Sequence, residues 1–314
     1  MSSHPSIFRS QVAALGLAAL LLSAPSAWAQ ACCAGSGAVT PGRLGLHEVA
    51  LVGFQAKAGS VVGSYDLSGD YVRSPPGAGE VDLEQDLFGS VRVLQRGQIA
   101  LLVPLIETWR SLAGLSALGG GIGDVNASAR YDFTLAGASR TLPGLAALAG
   151  LTLPSGTPPD SSSAGKLATG ATGIGAYQFN VGIAVEQTFG AWLVNATGVV
   201  AERTARTVGS GSNAVHEHLA PQWTLLAAAA YTFANDWAAA ASASCAFEGD
   251  ASIDGGDGPG TAHRLLTVSL SGVVPLSDSW RLQGAVFDNP PIGQVGTNQP
   301  ADAGLSLTVV ASWM

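Results

Sequence analysis

From Asp124 to Leu135 the chain reads D-V-N-A-S-A-R-Y-D-F-T-L, and its odd and even positions differ throughout. Val125, Ala127, Ala129, Tyr131, Phe133 and Leu135 form one series; Asp124, Asn126, Ser128, Arg130, Asp132 and Thr134 form the other. Successive side chains of a strand point to opposite faces, so this segment predicts a strand with one apolar and one polar face. The same period runs through Val61 to Val72, where Asp66 and Asp70 oppose Tyr65, Leu67 and Tyr71. It returns in Tyr177 to Glu186, with Gln178, Asn180 and Glu186 on the polar side, in Leu219 to Phe233 and in Leu305 to Trp313. These runs are about ten residues or longer, whereas globular strands average about five or six. About 9 to 11 residues is the length a tilted strand needs to cross a bilayer.

Connections predict the same plan. Short ones fall near residues 95–97, 136–143, 188–191, 234–236 and 277–279. Longer ones rich in Gly, Pro, Ser and Asp fall near residues 73–80, 113–122, 154–172, 208–218, 249–262 and 289–302. Short turns at one end and long loops at the other define an outer-membrane barrel, with the turns in the periplasm. Phe133, Phe189, Trp192, Phe233, Trp237, Trp280 and Trp313 all lie beside short turns or the C-terminus. Rings that prefer the headgroup level would form one girdle there.

The expected fold is therefore all-β, a transmembrane antiparallel up-and-down β-barrel of about twelve strands, or fourteen if the leading segment also pairs. Reaching an even number requires residues 44–72 to form a single long first strand. Residues 1–29, with the apolar run from Val12 to Leu22 and Ala27-Trp28-Ala29, have the layout of a secretory signal peptide. Residues 30–48 are a lead segment, periplasmic or lumen-entering, and residues 49–314 the barrel. This architecture places the protein in the outer membrane of a Gram-negative bacterium. Composition agrees, since charged residues are only 11% against 47% hydrophobic. A net charge of -8 offers no basic stripe for nucleic acid. Three cysteines, Cys32, Cys33 and Cys245, imply no disulfide framework.

Three glycine-containing stretches carry a resemblance. G-G-G-I-G-D-V-N-A-S-A-R-Y-D-F (residues 119–133), G-L-T-L-P-S-G-T-P (150–158) and T-G-I-G-A-Y-Q-F-N-V-G (172–182) occur in this order. In that respect the chain resembles the outer-membrane barrel family named for the MetA pathway of phenol degradation. The resemblance implies a passive channel or transporter for small solutes, hydrophobic ones among them, and carries no catalytic set.

Catalytic chemistry finds little support. His216-Glu217-His218 is the best metal-like cluster, but it falls in an expected external loop where polar residues are ordinary. Asp250, Asp254 and Asp257 do not match a calcium-loop spacing. No G-x-S-x-G elbow or phosphate loop is present. The reading is of a protein that is not an enzyme and has no cofactor, with a closed structural or surface-interaction barrel as the alternative and a barrel enzyme third. The candidate functional residues are those expected to face the lumen: Asp66, Asp70, Asp124, Asn126, Arg130, Asp132, Gln178, Asn180 and Glu186. Residues 98–112 are apolar on both faces apart from Glu107 and Arg110, which suggests a greasy strip inside. The expected partners are outer-membrane lipids and a small-molecule solute. Arg73, Arg110, Arg203, Arg206 and Arg264 cluster at the outer rim, where solvated charge is the favoured reading and contact with lipopolysaccharide phosphates the alternative.

Overall fold

The computed structural model describes residues 42–139, 141–209 and 214–314. The expected signal peptide, the first part of the lead segment, Cys32 and Cys33 lie outside the described residues. The chain runs through β1 (Ala50–Tyr65), β2 (Tyr71–Arg73), β3 (Gly79–Leu94), β4 (Gly97–Leu112), β5 (Leu115–Ile122), β6 (Val125–Thr134) and β7 (Gly144–Leu153). It continues through β8 (Gln178–Phe189), β9 (Trp192–Arg203), β10 (Arg206–Val208), β11 (Val215–His218), β12 (Gln222–Thr232) and β13 (Ala238–Glu248). The last segments are β14 (Ala251–Ile253), β15 (Gly256–Gly258), β16 (His263–Pro275), β17 (Trp280–Asp288), β18 (Gly296–Thr297) and β19 (Gln299–Trp313).

Twelve of these strands close into one antiparallel barrel, in the order β1, β3, β4, β6, β7, β8, β9, β12, β13, β16, β17, β19, with β5 standing above β6. The closing seam pairs β1 with β19 from Ala50↔Trp313 to Tyr65↔Gln299. Closure satisfies every wall strand on both edges, which is what hydrocarbon demands of a spanning sheet. No helix among the described residues is long and apolar enough to cross a membrane.

The outside of the wall is greasy. On β8, Phe179, Val181 and Ile183 are more than half exposed, while Ala184 and Glu186 between the outward rows are buried. A water-soluble protein would bury such a row; here lipid takes the place of a core. At the short-turn end Tyr131 meets Phe133, Trp192 meets Tyr231, and Tyr231 meets Phe233, all edge to face at 5.0–5.3 Å. Trp280 and Trp313 are half exposed there as well. At the other end Trp223 stacks on Phe247 at 6.4 Å. Two aromatic levels thus bracket the apolar band, where the sequence predicted one.

The structure corrects three expectations. Residues 44–72 are not one strand, because the chain reverses at Asp66–Asp70 and β2 pairs back onto β1. Residues 113–122 are not a loop: Ala113 and Gly114 take φ of 52° and 82°, a hairpin turn, and β5 pairs with β4 from Leu115↔Leu112 to Ile122↔Leu105. The long loops over β9 to β16 also carry structure, a four-stranded sheet of β10, β11, β14 and β15.

Candidate functional site

Inward-facing residues surround a cavity of about 660 Å³ inside the barrel. One stretch of its wall, on β1, β3 and β19, carries Gln55, Lys57, Glu84, Asp86, Asp302 and Ser306. Cross-strand pairing brings these together, because Lys57 lies opposite Glu84 on one side and Ser306 on the other. Lys57 Nζ reaches Glu84 Oε2 at 3.2 Å, Thr108 Oγ1 donates to Asp82 Oδ1 at 2.6 Å, and Gln55 Nε2 donates to Thr308 Oγ1 at 2.8 Å. The wall of β12, β13 and β16 contributes neutral groups, among them Gln222, Thr224, Ser242, Ser244, Thr267 and Ser269. A third stretch is apolar, with Leu102, Leu148, Val199 and Leu226 on β4, β7, β9 and β12. Leu102 belongs to the greasy strip expected in residues 98–112.

The periplasmic mouth is crossed by residues 42–48. Leu44 is buried against Leu51, Phe88 and Val310, and its backbone N–H donates to Gln98 Oε1 at 3.1 Å. Glu48 meets Arg281 at 2.5 Å, and Arg92 donates to the carbonyls of Gly45 and Glu48. Burial raises the Glu48 pKa, but the Arg281 charge and its hydrogen bonds outweigh that, so its carboxyl sits below the ordinary range. From this anchored segment Arg43 extends to Glu186 at 2.5 Å, and Glu186 also meets Arg130 at 3.1 Å. Arg130 in turn binds Asp132 at 2.7 Å.

Near the outer end the long connection between β7 and β8 leans on the inward face of β5. That face is Gly119 and Gly121, with Gly123 just past the end of the strand, since Gly119 pairs with the buried Thr108 and Gly121 with Ile106. A Cβ on Gly119 would lie 2.6 Å from Thr169 Oγ1, so only glycine lets the loop approach. Asp124, in the break between β5 and β6, accepts the backbone N–H of Gly156 at 2.9 Å and of Ile174 at 2.7 Å. Ser155 and Thr172 donate to the carbonyls of Gly123 and Ile122. The three glycine-containing stretches of the sequence therefore meet in one latch.

The structure divides the sequence-predicted lumen residues into three groups. Asn126, Gln178 and Asn180 line the cavity. Arg130, Asp132 and Glu186 form the ion network at the periplasmic mouth. Asp66, Asp70 and Asp124 are corrections: Asp66 Oδ1 accepts from Ser68 and Asp70 N–H in a tight turn, Asp70 lies in that turn, and Asp124 holds the latch. Lys57, Glu84, Asp86 and Asp302 are lumen residues that the sequence reading missed. V-D-L-E-Q-D-L-F in β3 does show the alternation that sets Asp82, Glu84, Asp86 and Phe88 on one face.

The rim arginines mostly face protein groups. Arg110 meets Glu80 at 2.6 Å, Arg206 meets Glu217 at 2.7 Å, Arg203 forms a buried pair with Glu248, and Arg264 donates to the Gln294 carbonyl at 2.6 Å. Because Glu217 is engaged by Arg206, the His216-Glu217-His218 run does not converge on an ion. Among the described residues no group of three His, Cys, Asp or Glu side chains is arranged to hold a metal.

Fold and lumen together define a β-barrel of the outer-membrane type. The chain is similar to the crystal structure of the COG4313 outer membrane channel from Pseudomonas putida F1, with a TM-score of 0.71 at 17% identity, covering 88% of this chain and 100% of that one. It is also similar to the translocator domain of the autotransporter NalP from Neisseria meningitidis, with a TM-score of 0.50 at 11% identity, covering 88% of this chain and 92% of that one. At these identities the likeness shows the fold. No family model matches the chain, and no curated protein does.

Proposed function

We propose that the protein is a passive outer-membrane channel for small solutes. The observation that carries this reading is the cavity of about 660 Å³ enclosed by polar strand faces inside a wall whose outer face is apolar. Serine, threonine, glutamine and asparagine side chains replace part of a solute's hydration shell without holding it tightly, which passage requires. The Pseudomonas putida protein of similar fold is an outer membrane channel, and this supports the reading. Hydrophobic solutes, implied by the family resemblance, would contact Leu102, Leu148, Val199 and Leu226; the rest of the lining favours water-soluble ones.

A closed barrel is the second reading, and residues 42–48 across the periplasmic mouth favour it. Planar-bilayer recordings of the mature chain separate the two. Stepwise conductance that drops when Asn180 is replaced by tryptophan supports the channel. Silence of the mature chain together with silence of a variant lacking residues 30–48 would overturn it.

A further inference from the structure

We infer that the lumen wall built by β1, β3 and β19 is a recognition site for an organic ammonium ion with a small apolar body. The inference deepens the channel reading and rests on it for its physiological meaning, though the site is defined by side chains alone.

Charge balance sets this wall apart. Asp82, Glu84, Asp86 and Asp302 share it with two cations, Lys57, paired with Glu84 at 3.2 Å, and Arg110, bound to Glu80 at 2.6 Å beside Asp82. Elsewhere in the barrel interior carboxylates are matched: Glu186 with Arg43 and Arg130, and Glu248 with Arg203. Against those matched pairs, this wall carries formal negative charge in excess.

The same wall holds unmet acceptors. Asp86 is only 6% exposed, lines the cavity, and its Oδ1 receives no hydrogen bond from any described residue. Asp302 Oδ1 is in the same condition. A buried carboxylate oxygen with no protein donor is costly unless a cation or donor from outside completes it.

Geometry then selects the kind of cation. Asp82, Glu84 and Asp86 alternate along one strand, so neighbours are spaced about 7 Å apart and form a ladder instead of converging. A hard divalent ion needs several oxygens within about 2.6 Å, which a ladder does not supply. An ammonium, with separate donors on a tetrahedral head, can be handed from rung to rung. Phe287 on the neighbouring β17 holds the Lys57 ammonium over its ring at 5.3 Å, so an aromatic face for cations borders this wall. Elsewhere around the lumen, Leu102, Leu148, Val199 and Leu226 offer apolar contact to the body of the ion. Anions would meet the wrong field, and neutral hydrocarbons would leave Asp86 unmet.

The test is titration calorimetry on the detergent-purified mature chain with benzylammonium, using benzyl alcohol as the neutral isostere. Saturable binding of the ammonium, at least about tenfold tighter than the alcohol and weakened about fivefold or more in Asp86→Asn, is expected. Asp302→Asn serves if Asp86→Asn does not fold, and Ser244→Ala on the neutral wall should leave the affinity unchanged. Equal affinity for the ammonium and the alcohol, or ammonium binding that survives both acidic replacements, overturns the inference. Planar-bilayer conductance in potassium chloride reads the channel separately. A conducting barrel that does not bind the ammonium overturns the site and keeps the channel; a barrel that is silent with and without residues 30–48 yet binds it selectively supports the site and removes the channel.

Discussion

Arg43 and Glu186 join the lead segment to the far wall of the barrel, 2.5 Å apart, with β8 five strands removed from β1 in the circular order. Glu186 is 3% exposed and is paired with both Arg43 and Arg130. The two contacts differ in what they do. Arg130 comes from β6 and ties wall to wall, whereas Arg43 comes from a segment with no strand of its own and ties the segment across the opening. Arg43→Ala should therefore remove the arm that crosses the opening and raise single-channel conductance with little change in barrel stability, while Leu44 and Glu48 keep the rest of the segment in place. Glu186→Ala removes the shared partner and leaves the buried Arg130 with Asp132 alone. It should cost about 3 kcal/mol in unfolding from lipid vesicles. Equal destabilisation by both replacements would show that Arg43 is part of the wall and not a tether.

The latch between β5 and the β7–β8 loop predicts a local effect. Asp124→Asn removes the charge that accepts the Gly156 and Ile174 N–H groups, and it should weaken the loop by about 1–3 kcal/mol. Gly119→Val would place a branched side chain where a Cβ alone comes within 2.6 Å of Thr169. Both should make residues 154–176 more open to protease in the folded, purified barrel while the wall strands stay resistant. Cleavage rates no different from wild type would mean that the loop is held by other contacts.

How much of this was legible follows from which signals are local. Alternation in residues 124–135 and 177–186 pointed to the right faces, since β6 and β8 keep strict period two against one lipid side. In residues 61–72 alternation misled. D-L-S-G-D reverses the chain, with Gly69 at φ 83° and Asp66 bonded to the N–H groups two and four residues on, yet side chains still alternate on paper through the turn. The latch was visible only as three separate glycine motifs, because nothing in sequence shows that Gly119 lies against Thr169 or Gly156 against Gly173. Arg43 was hidden for a related reason. Its partner lies 143 positions away, and no periodicity marks a segment that follows the lumen instead of a strand.

Asp250 gives a pH prediction outside the membrane. Backbone N–H donation from Ala262 is the main cause that holds its carboxyl below the ordinary range, with Thr261 adding to it. A carboxyl depressed in the folded state stabilises its loop above its unfolded pKa, and that contribution disappears as pH falls through the folded value. The amides of Thr261 and Ala262 should stay protected from hydrogen exchange through mildly acidic pH and lose protection only below the usual carboxylate range. In Asp250→Asn the protection should be lower at neutral pH and should no longer change on acidification. Persistence of the pH response in that variant would assign it to another group.

The strand β8 offers a comparison of two positions three residues apart that only a membrane-embedded barrel should distinguish. Ile183 is 60% exposed on the outer face, and Asn180 lines the cavity on the inner one. In lipid the outward position is the more hostile to charge, although by exposure alone it would tolerate arginine better. Ile183→Arg should therefore cost about 2–4 kcal/mol in unfolding from vesicles, the value for a cation near the midplane of a barrel wall. Asn180→Arg meets water and the polar lumen, and it should cost less than about 1 kcal/mol while altering conductance. Were the outer face bathed in water, the order would invert, since surface substitutions away from partners are usually close to neutral. Measuring both variants in the same vesicles thus decides which solvent the row of Phe179, Val181 and Ile183 faces.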